Sequence, residues 1–236
     1  MNAPIQAADR LWLASVEITR RCNLHCPYCD QAKSDRDMPV AQFIELLGEL
    51  AEEGLEAVAL GGGEPTLHPD LPALLEATHD RGLRAGLTTN ARDPEMVMGL
   101  ADARLLESFG VSAGKGEWTA LVAHPCAVVN LLLLRGGLTE ITTQAGEAVR
   151  RGARRLLLLG YKGDRPEFAP STAELAEAFG LLTMLGRRMG LVVAADDYTR
   201  RRLGLAERCG DGFLRVNLDG TRDRCCFPAC EYRIRP

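Results

Sequence analysis

Residues 22–29 read CNLHCPYC, which places cysteines at positions 22, 26 and 29 with the spacing C-x3-C-x2-C. Three thiolates this close in sequence can face one metal centre only from a loop, and Pro27 within the stretch favours a loop over a helix. Three ligands leave one iron of a four-iron cluster open, as in a cluster that binds a substrate. The alternatives are a zinc knuckle, a disulfide framework or buried thiols. Zinc usually needs a second cysteine pair further on, and disulfides need an oxidising compartment.

The composition is that of an ordinary globular protein. Of 236 residues, 46% are hydrophobic and 25% are charged, and 28 basic against 32 acidic residues give a net charge of −4. This balance argues against nucleic acid as a partner, and the arginines at 150–155 and 200–202 are interpreted as solvated helix faces. No signal peptide and no apolar run of membrane-spanning length is recognised. We therefore expect a cytoplasmic protein without a membrane partner, whose eight cysteines indicate metal binding rather than disulfides.

Strands and helices alternate along most of the chain. Residues 13–19 have the β-branched content of a strand and lead directly into the cysteine loop. Apolar spacing predicts helices at 38–53, 70–81, 94–103, 117–123, 139–151 and 172–189, and strands at 55–60, 83–88, 105–111, 126–134, 154–160 and 191–195. This alternation predicts an α/β fold with a parallel sheet, and six such units give a partial (βα)6 TIM-like barrel.

We predict three parts in the chain. Residues 1–12 are expected to form an N-terminal lead-in, residues 13–195 the barrel, and residues 196–236 a small C-terminal extension. Within the extension, residues 213–218 alternate like a strand, and Asp219-Gly220 is a hairpin signal. We therefore predict a small β-hairpin module after the barrel.

A second motif, GGGEP at residues 61–65, follows the strand predicted at 55–60. Three consecutive glycines let the backbone approach a ligand closely. Taken alone, the motif is better interpreted as a glycine-rich turn with a surface glutamate. The cysteine loop, with Tyr28 just before its third cysteine, followed by this glycine motif, resembles the signature of the radical S-adenosylmethionine (radical SAM) enzymes.

The resemblance implies that Cys22, Cys26 and Cys29 bind a 4Fe–4S cluster and that S-adenosylmethionine chelates its open iron. An electron from the cluster would cleave this cofactor to a 5′-deoxyadenosyl radical, which abstracts a hydrogen atom from the substrate. An electron donor such as flavodoxin or ferredoxin would reduce the cluster. The residues expected to contact S-adenosylmethionine are Tyr28, Gly61, Gly62, Gly63, Glu64, Thr89, Asn90, Ser112 and Asn130. For Ser112 and Asn130 a structural role is an equal alternative, because a polar group inside an apolar strand needs partners in any case.

The C-terminal cysteines form a second group. Cys209, Cys225, Cys226 and Cys230 surround the predicted hairpin and resemble the half-size auxiliary-cluster (twitch, SPASM-like) extension of some radical SAM enzymes. The resemblance implies a second iron–sulfur cluster, and a zinc site built from the same cysteines is the main alternative. Cys225 and Cys226 are adjacent, so an open coordination position is a further expectation.

The expected function is radical chemistry on a small polar substrate, such as a sugar, an aminocyclitol or a nucleoside-like intermediate. We expect dehydrogenation or epimerisation in a biosynthetic pathway, because the short chain leaves little room for a peptide-recognition domain. Lys162 and Asp197 are candidate catalytic groups, since both follow predicted strands. Modification of a ribosomal precursor peptide is the alternative, and a non-catalytic iron–sulfur or zinc-binding protein is an alternative of another class.

Overall fold

The computed structural model describes residues 11–225, 227 and 230–232. Most of the proposed lead-in at 1–12 and Cys226 therefore lie outside the described residues. Within the described part of the chain, no helix is both long enough and apolar enough to cross a bilayer.

The elements follow the predicted alternation. The strands are β1 (Leu13–Thr19), β2 (Ala57–Gly62), β3 (Arg84–Thr89), β4 (Ser108–Ser112), β5 (Ala127–Leu133), β6 (Arg155–Gly160), β7 (Val192–Ala195), β8 (Phe213–Val216) and β9 (Arg222–Asp223). The helices are α1 (Val40–Glu52), α2 (Leu71–Asp80), α3 (Pro94–Asp102), α4 (Trp118–Leu121), α5 (Leu138–Arg150), α6 (Thr172–Met189) and α7 (Asp197–Arg202).

The described strands form one sheet in the order β7-β6-β5-β4-β3-β2-β1-β8-β9. All neighbours up to β8 are parallel, and only β9 runs antiparallel to its neighbour. The expected α/β partial barrel is confirmed. The predicted hairpin is present as β8 and β9, but β8 pairs in parallel with β1, so the hairpin extends the barrel sheet instead of standing beside it.

Two local predictions differ from the structure. The fourth strand begins at Ser108 rather than at residue 105, because the turn after α3 continues: Arg104 has φ 62° and the Leu105 N–H donates to the Leu100 carbonyl. Helix α7 was not predicted. It begins where the Asp196 side chain accepts from the Thr199 N–H, 3.1 Å away.

The core lies between the sheet and the surrounding helices. Outward-facing strand residues such as Val16, Leu60 and Phe109 are at most 1% exposed and pack among helix residues such as Phe43. The inner face of the sheet carries small side chains instead, including Ala59, Gly86, Ser108 and Gly110, which line a cavity of about 490 Å³ together with Asn130. Barrel interiors of this kind are usually filled by bulky branched residues. The small residues therefore leave this barrel hollow.

Helix α6 begins and ends at the predicted residues because both ends are capped. Ser171 and Glu174 form a capping box, and Gly190 ends the helix with φ 70°. The Glu174 carboxylate accepts from Ser171 N–H at 2.7 Å and from Gly136 N–H, in the loop after β5, at 2.6 Å. These backbone hydrogen bonds lower the pKa of Glu174 to about 2.

We expect Glu174→Gln to lower the free energy of unfolding at pH 7 by about 1 kcal/mol, typical of a lost cap. The folded-state pKa lies below the ordinary value of 4.5, so the stabilisation is complete above pH 4.5 and is lost as the pH falls towards 2. Urea unfolding at pH 7 and near pH 2 measures this, with exposed Glu177→Gln on the same helix as the control. Equal effects of the two substitutions at both pH values would contradict the assignment.

Candidate active site

The cysteine loop follows β1 at the carboxyl end of the sheet, where the chemistry of such barrels is located. Cys22, Cys26 and Cys29 are unpaired thiols of intermediate exposure, and a turn bond from the Cys29 N–H to the Cys26 carbonyl (3.1 Å) bends the loop. The base of the loop is fixed by Asp37, whose carboxylate accepts from Thr19 Oγ1 at 2.6 Å and from Arg21 Nε at 2.8 Å. The three thiols are thus presented on one loop with an anchored base.

The glycine motif packs directly against the start of the cysteine loop. The Gly63 N–H donates to the Thr19 carbonyl at 2.9 Å, and the Glu64 N–H donates to the Arg21 carbonyl at 2.8 Å. A Cβ at Gly62 would lie 2.2 Å from the Thr19 oxygen, and one at Gly63 would lie 2.0 Å from the Arg21 oxygen. Two of the three glycines are therefore required by the contact between the motifs, which sequence reasoning had attributed to ligand approach alone.

Gly61 differs from the other two glycines. A Cβ there would have no neighbour nearer than 3.9 Å. By strand alternation it lies on the inner face together with Ala57 and Ala59, which line the cavity. Gly61 is thus the member of the motif whose surroundings leave space for a ligand.

Glu64 is buried, with 1% of its surface exposed, and its carboxylate accepts several hydrogen bonds. It accepts from Thr66 Oγ1 and Thr89 Oγ1, both at 2.9 Å, and from the Asn90 N–H at 2.6 Å. Burial raises the pKa of Glu64 above its ordinary value, although these hydrogen bonds oppose the shift. Glu64 and Thr89 therefore tie the end of β2 to the end of β3, a scaffold role that sequence reasoning did not foresee.

The other predicted cofactor contacts surround the same loops. Asn90 Nδ2 donates to Asn23 Oδ1 in the cysteine loop at 2.8 Å. Ser112 and Asn130 are register partners on β4 and β5, and Asn130 lines the interior cavity at 8% exposure. Lys115, which sequence reasoning missed, places its ammonium 5.0 Å from the centroid of the Tyr28 ring. Its position just after β4 was the available signal.

The two predicted catalytic residues have different partners in the structure. Lys162 Nζ lies 2.6 Å from Asp196 Oδ2, and both side chains are mostly buried. The Asp197 carboxylate instead accepts from the Gly210 N–H at 3.3 Å and lies 3.9 Å from Arg200. A catalytic role for Asp197 stays a prediction, and Asp196 is the carboxylate that contacts Lys162.

Three of the C-terminal cysteines are described. Cys225 and Cys230 are buried and Cys209 is partly exposed. The segments that carry Cys209 and Cys225 adjoin, because a Cβ at Gly210 would lie 2.3 Å from the Arg224 oxygen. Cys226 lies outside the described residues, so the full predicted ligand set is not observed.

The donor chemistry of the cysteine loop fits an iron–sulfur cluster. Among the described residues, no three His, Cys, Asp or Glu side chains converge on a site for a single ion. A cubane cluster spreads its thiolates over separate irons, so its requirement is three thiols on one accessible loop. Cys22, Cys26 and Cys29 meet that requirement.

Comparison with known proteins finds relatives in sequence and proteins of similar fold. The PqqA peptide cyclase of Streptomyces rochei is 27% identical, over 87% of this chain and 65% of the cyclase. That of Bradyrhizobium diazoefficiens is 40% identical over 44% of this chain and 30% of the cyclase. The crystal structure of Streptococcus suis SuiB bound to S-adenosylmethionine has a TM-score of 0.75 at 15% identity and covers 96% of this chain and 63% of SuiB.

The chain thus spans less than two thirds of the length of each of these proteins. SuiB has also been determined bound to the precursor peptide SuiA, with a TM-score of 0.73 to this chain. At 15% identity this likeness shows the fold. The model of the radical SAM superfamily matches residues 16–114, which contain the cysteine loop, the glycine motif and strands β2 to β4. Residues 16–114 of this chain are therefore similar to the radical SAM superfamily.

Proposed function

We propose that the protein is a radical SAM enzyme that modifies a peptide. The observation that carries the proposal is the direct contact between the two motifs: the backbone of Gly63 and Glu64 is hydrogen-bonded to Thr19 and Arg21, which lead into the cysteine loop. Both motifs lie at the carboxyl end of a hollow barrel. A non-catalytic metal-binding protein would have no need of this second loop.

Some residues of the chain would bind the cluster, others hold the surrounding loops in place, and others line the cavity. Cys22, Cys26 and Cys29 would hold the 4Fe–4S cluster, which when bound supplies the electron that cleaves S-adenosylmethionine to a 5′-deoxyadenosyl radical. The scaffold residues Glu64 and Thr89 keep the loops after β2 and β3 in place.

A further group of residues would contact the cofactor. Tyr28, Gly61, Gly62, Gly63, Asn90, Ser112 and Asn130 would surround S-adenosylmethionine, with the glycines offering backbone polar groups. The apolar lining of the cavity, including Leu157, would keep water from the radical.

A peptide is favoured over a small polar substrate by the relatives. Two are named PqqA peptide cyclase, and the protein of similar fold, SuiB, has been determined with a precursor peptide. The sequence-based preference for a sugar, aminocyclitol or nucleoside rested on chain length. The names of the relatives weigh against that preference.

The C-terminal cysteines would hold the group that accepts an electron from the peptide during its modification. In line with the name peptide cyclase of two relatives, we infer that the modification joins two atoms of the peptide in a ring and removes one hydrogen atom from each. The 5′-deoxyadenosyl radical takes one of these hydrogen atoms, and the second leaves as a proton and an electron. That electron needs an acceptor. Cys209, Cys225, Cys226 and Cys230 would hold an auxiliary iron–sulfur cluster able to accept it. Flavodoxin or ferredoxin would deliver the electron that starts the reaction.

The substrate class is tested by mass spectrometry. Reconstituted protein, S-adenosylmethionine and reductant are incubated with candidate precursor peptides encoded near its gene, and in parallel with a panel of sugars and aminocyclitols. We expect a peptide to lose two hydrogen atoms while 5′-deoxyadenosine is released in equal amount. Turnover of a sugar or aminocyclitol with every peptide unchanged would restore the small-molecule alternative.

A further inference from the structure

The loop between β6 and α6 crosses the mouth of the barrel to reach the cysteine loop. We call residues 161–168 the strap. Arg165 donates from Nη2 to Asp30 Oδ1 at 2.7 Å and to the Cys29 carbonyl at 3.2 Å, and from Nη1 to the Pro27 carbonyl. One guanidinium thus holds three acceptors on residues 27–30, at the end of the cysteine loop and 135 positions or more away in sequence.

Other strap residues support the same contact. Tyr161 Oη donates to the second oxygen of Asp30 at 3.2 Å, and the Phe168 ring meets the Tyr28 ring edge-on, with 6.4 Å between centroids. A Cβ at Gly163 would lie 2.4 Å from Asp30 Oδ2 and 2.1 Å from Tyr161 Oη. The strap is therefore fitted closely around the Asp30 carboxylate.

The geometry of arginine explains why this residue suits the position. Its planar fork offers several donors in fixed directions and can engage a carboxylate and carbonyls together, which a lysine ammonium does not do. The Arg165 and Asp30 side chains are 37% and 39% exposed. A half-exposed ion pair contributes little to global stability, so its removal should leave the fold intact.

The two ends of the cysteine loop are held differently. Asp37 anchors the base through Thr19 and Arg21. The distal end, with Tyr28 and Cys29, is held from across the barrel mouth by the strap. We propose that Arg165 is a positioning residue that fixes the distal end of the cysteine loop, so that the third cysteine and Tyr28 are in place for the cluster and S-adenosylmethionine. This inference rests on the proposed function.

The test compares Arg165→Met, Arg165→Lys, Asp30→Asn and the double variant Arg165→Met/Asp30→Asn with wild type. The matched control is Arg150→Met, which removes an exposed ion pair to Glu147 (2.6 Å) on helix α5. Amide hydrogen exchange of residues 26–30 is measured before and after anaerobic reconstitution. The EPR spectrum of the reduced cluster is then recorded with and without S-adenosylmethionine.

We expect exchange at residues 26–30 to be about tenfold faster in Arg165→Met and Asp30→Asn before reconstitution, with no further increase in the double variant. Arg165→Lys should restore only part of the protection, and Arg150→Met none of the change. After reconstitution, the spectral change that S-adenosylmethionine causes in wild type should be diminished in Arg165→Met.

Wild-type exchange rates and spectra in Arg165→Met would overturn this inference while leaving the proposed function in place. A wild type that assembles no cluster would overturn the proposed function and this inference with it.

Discussion

Replacement of Cys22, Cys26 and Cys29 together by alanine is expected to lower the iron content from about eight to about four atoms per chain. The reason is that these thiols are the ligands of one cluster, while the C-terminal cysteines retain the other. Release of 5′-deoxyadenosine under reduction should be abolished. Iron and sulfide analysis after anaerobic reconstitution measures the first effect, and chromatography of the nucleoside measures the second.

The control for this experiment is Cys126→Ala. Cys126 immediately precedes β5, at the opposite end of the strand from the barrel mouth, and is partly buried. Its substitution should leave both iron content and nucleoside release at wild-type values. A fall from about four atoms to none in the triple variant would retain the first cluster and eliminate the auxiliary one. Unchanged iron in the triple variant would contradict the assignment of the cysteine loop.

The second large effect is expected at Gly62. Gly62→Ala should lower the free energy of unfolding by about 3 kcal/mol or more, because it combines overpacking with backbone strain. The new Cβ would lie 2.2 Å from the Thr19 oxygen, and the residue has φ 116°, a conformation that favours glycine. Relief requires β2 and the start of the cysteine loop to separate. Urea unfolding measures the loss, and iron analysis reports whether the loop still binds its cluster.

Gly61→Ala is the matched control for Gly62→Ala. Its Cβ would have no neighbour nearer than 3.9 Å, so the free energy of unfolding should stay within about 0.5 kcal/mol of wild type. Gly61 is proposed to face the cofactor. A loss of cofactor binding in Gly61→Ala would therefore not be explained by a loss of stability. Equal destabilisation by the two substitutions would show that the contact between the two motifs is not what requires glycine at 62.

Local signals in the sequence predict the barrel well. Helix α6 runs from Thr172 to Met189 as predicted because Ser171, Glu174 and Gly190 encode both ends within the helix and its caps. The sequence predicts that the cysteine and glycine loops lie at the carboxyl end of the sheet, because each directly follows a predicted strand. The carboxyl ends of parallel strands lie at the same edge of a sheet, so the two loops meet there however the side chains pack.

Long-range contacts could not be predicted in the same way. Nothing in residues 213–216 specifies that β8 pairs with β1, since a short alternating strand fits many neighbours. The Arg165–Asp30 contact joins residues 135 positions apart, and either charge alone resembles an ordinary surface group. Which of the adjacent carboxylates Asp196 and Asp197 meets Lys162 depends on where α7 begins, because Asp196 caps that helix.

Glu64 illustrates the same limit within a recognised motif. The resemblance to the radical SAM enzymes implies that Glu64 contacts S-adenosylmethionine. The structure adds hydrogen bonds from Thr66 in the same loop and from Thr89 and Asn90, and the last two need β3 to lie beside β2. A motif therefore identifies the chemistry of a loop. Which of its residues hold the loop in place depends on contacts with the neighbouring strand.

The central claim is that this protein generates a radical from S-adenosylmethionine at the cysteine loop. The most direct measurement is 5′-deoxyadenosine release by the anaerobically reconstituted wild type, given S-adenosylmethionine and a strong reductant. The account predicts release that requires reduction and is lost in the triple cysteine variant. A cluster-loaded, reduced wild type that releases no 5′-deoxyadenosine, with or without peptide, would contradict it.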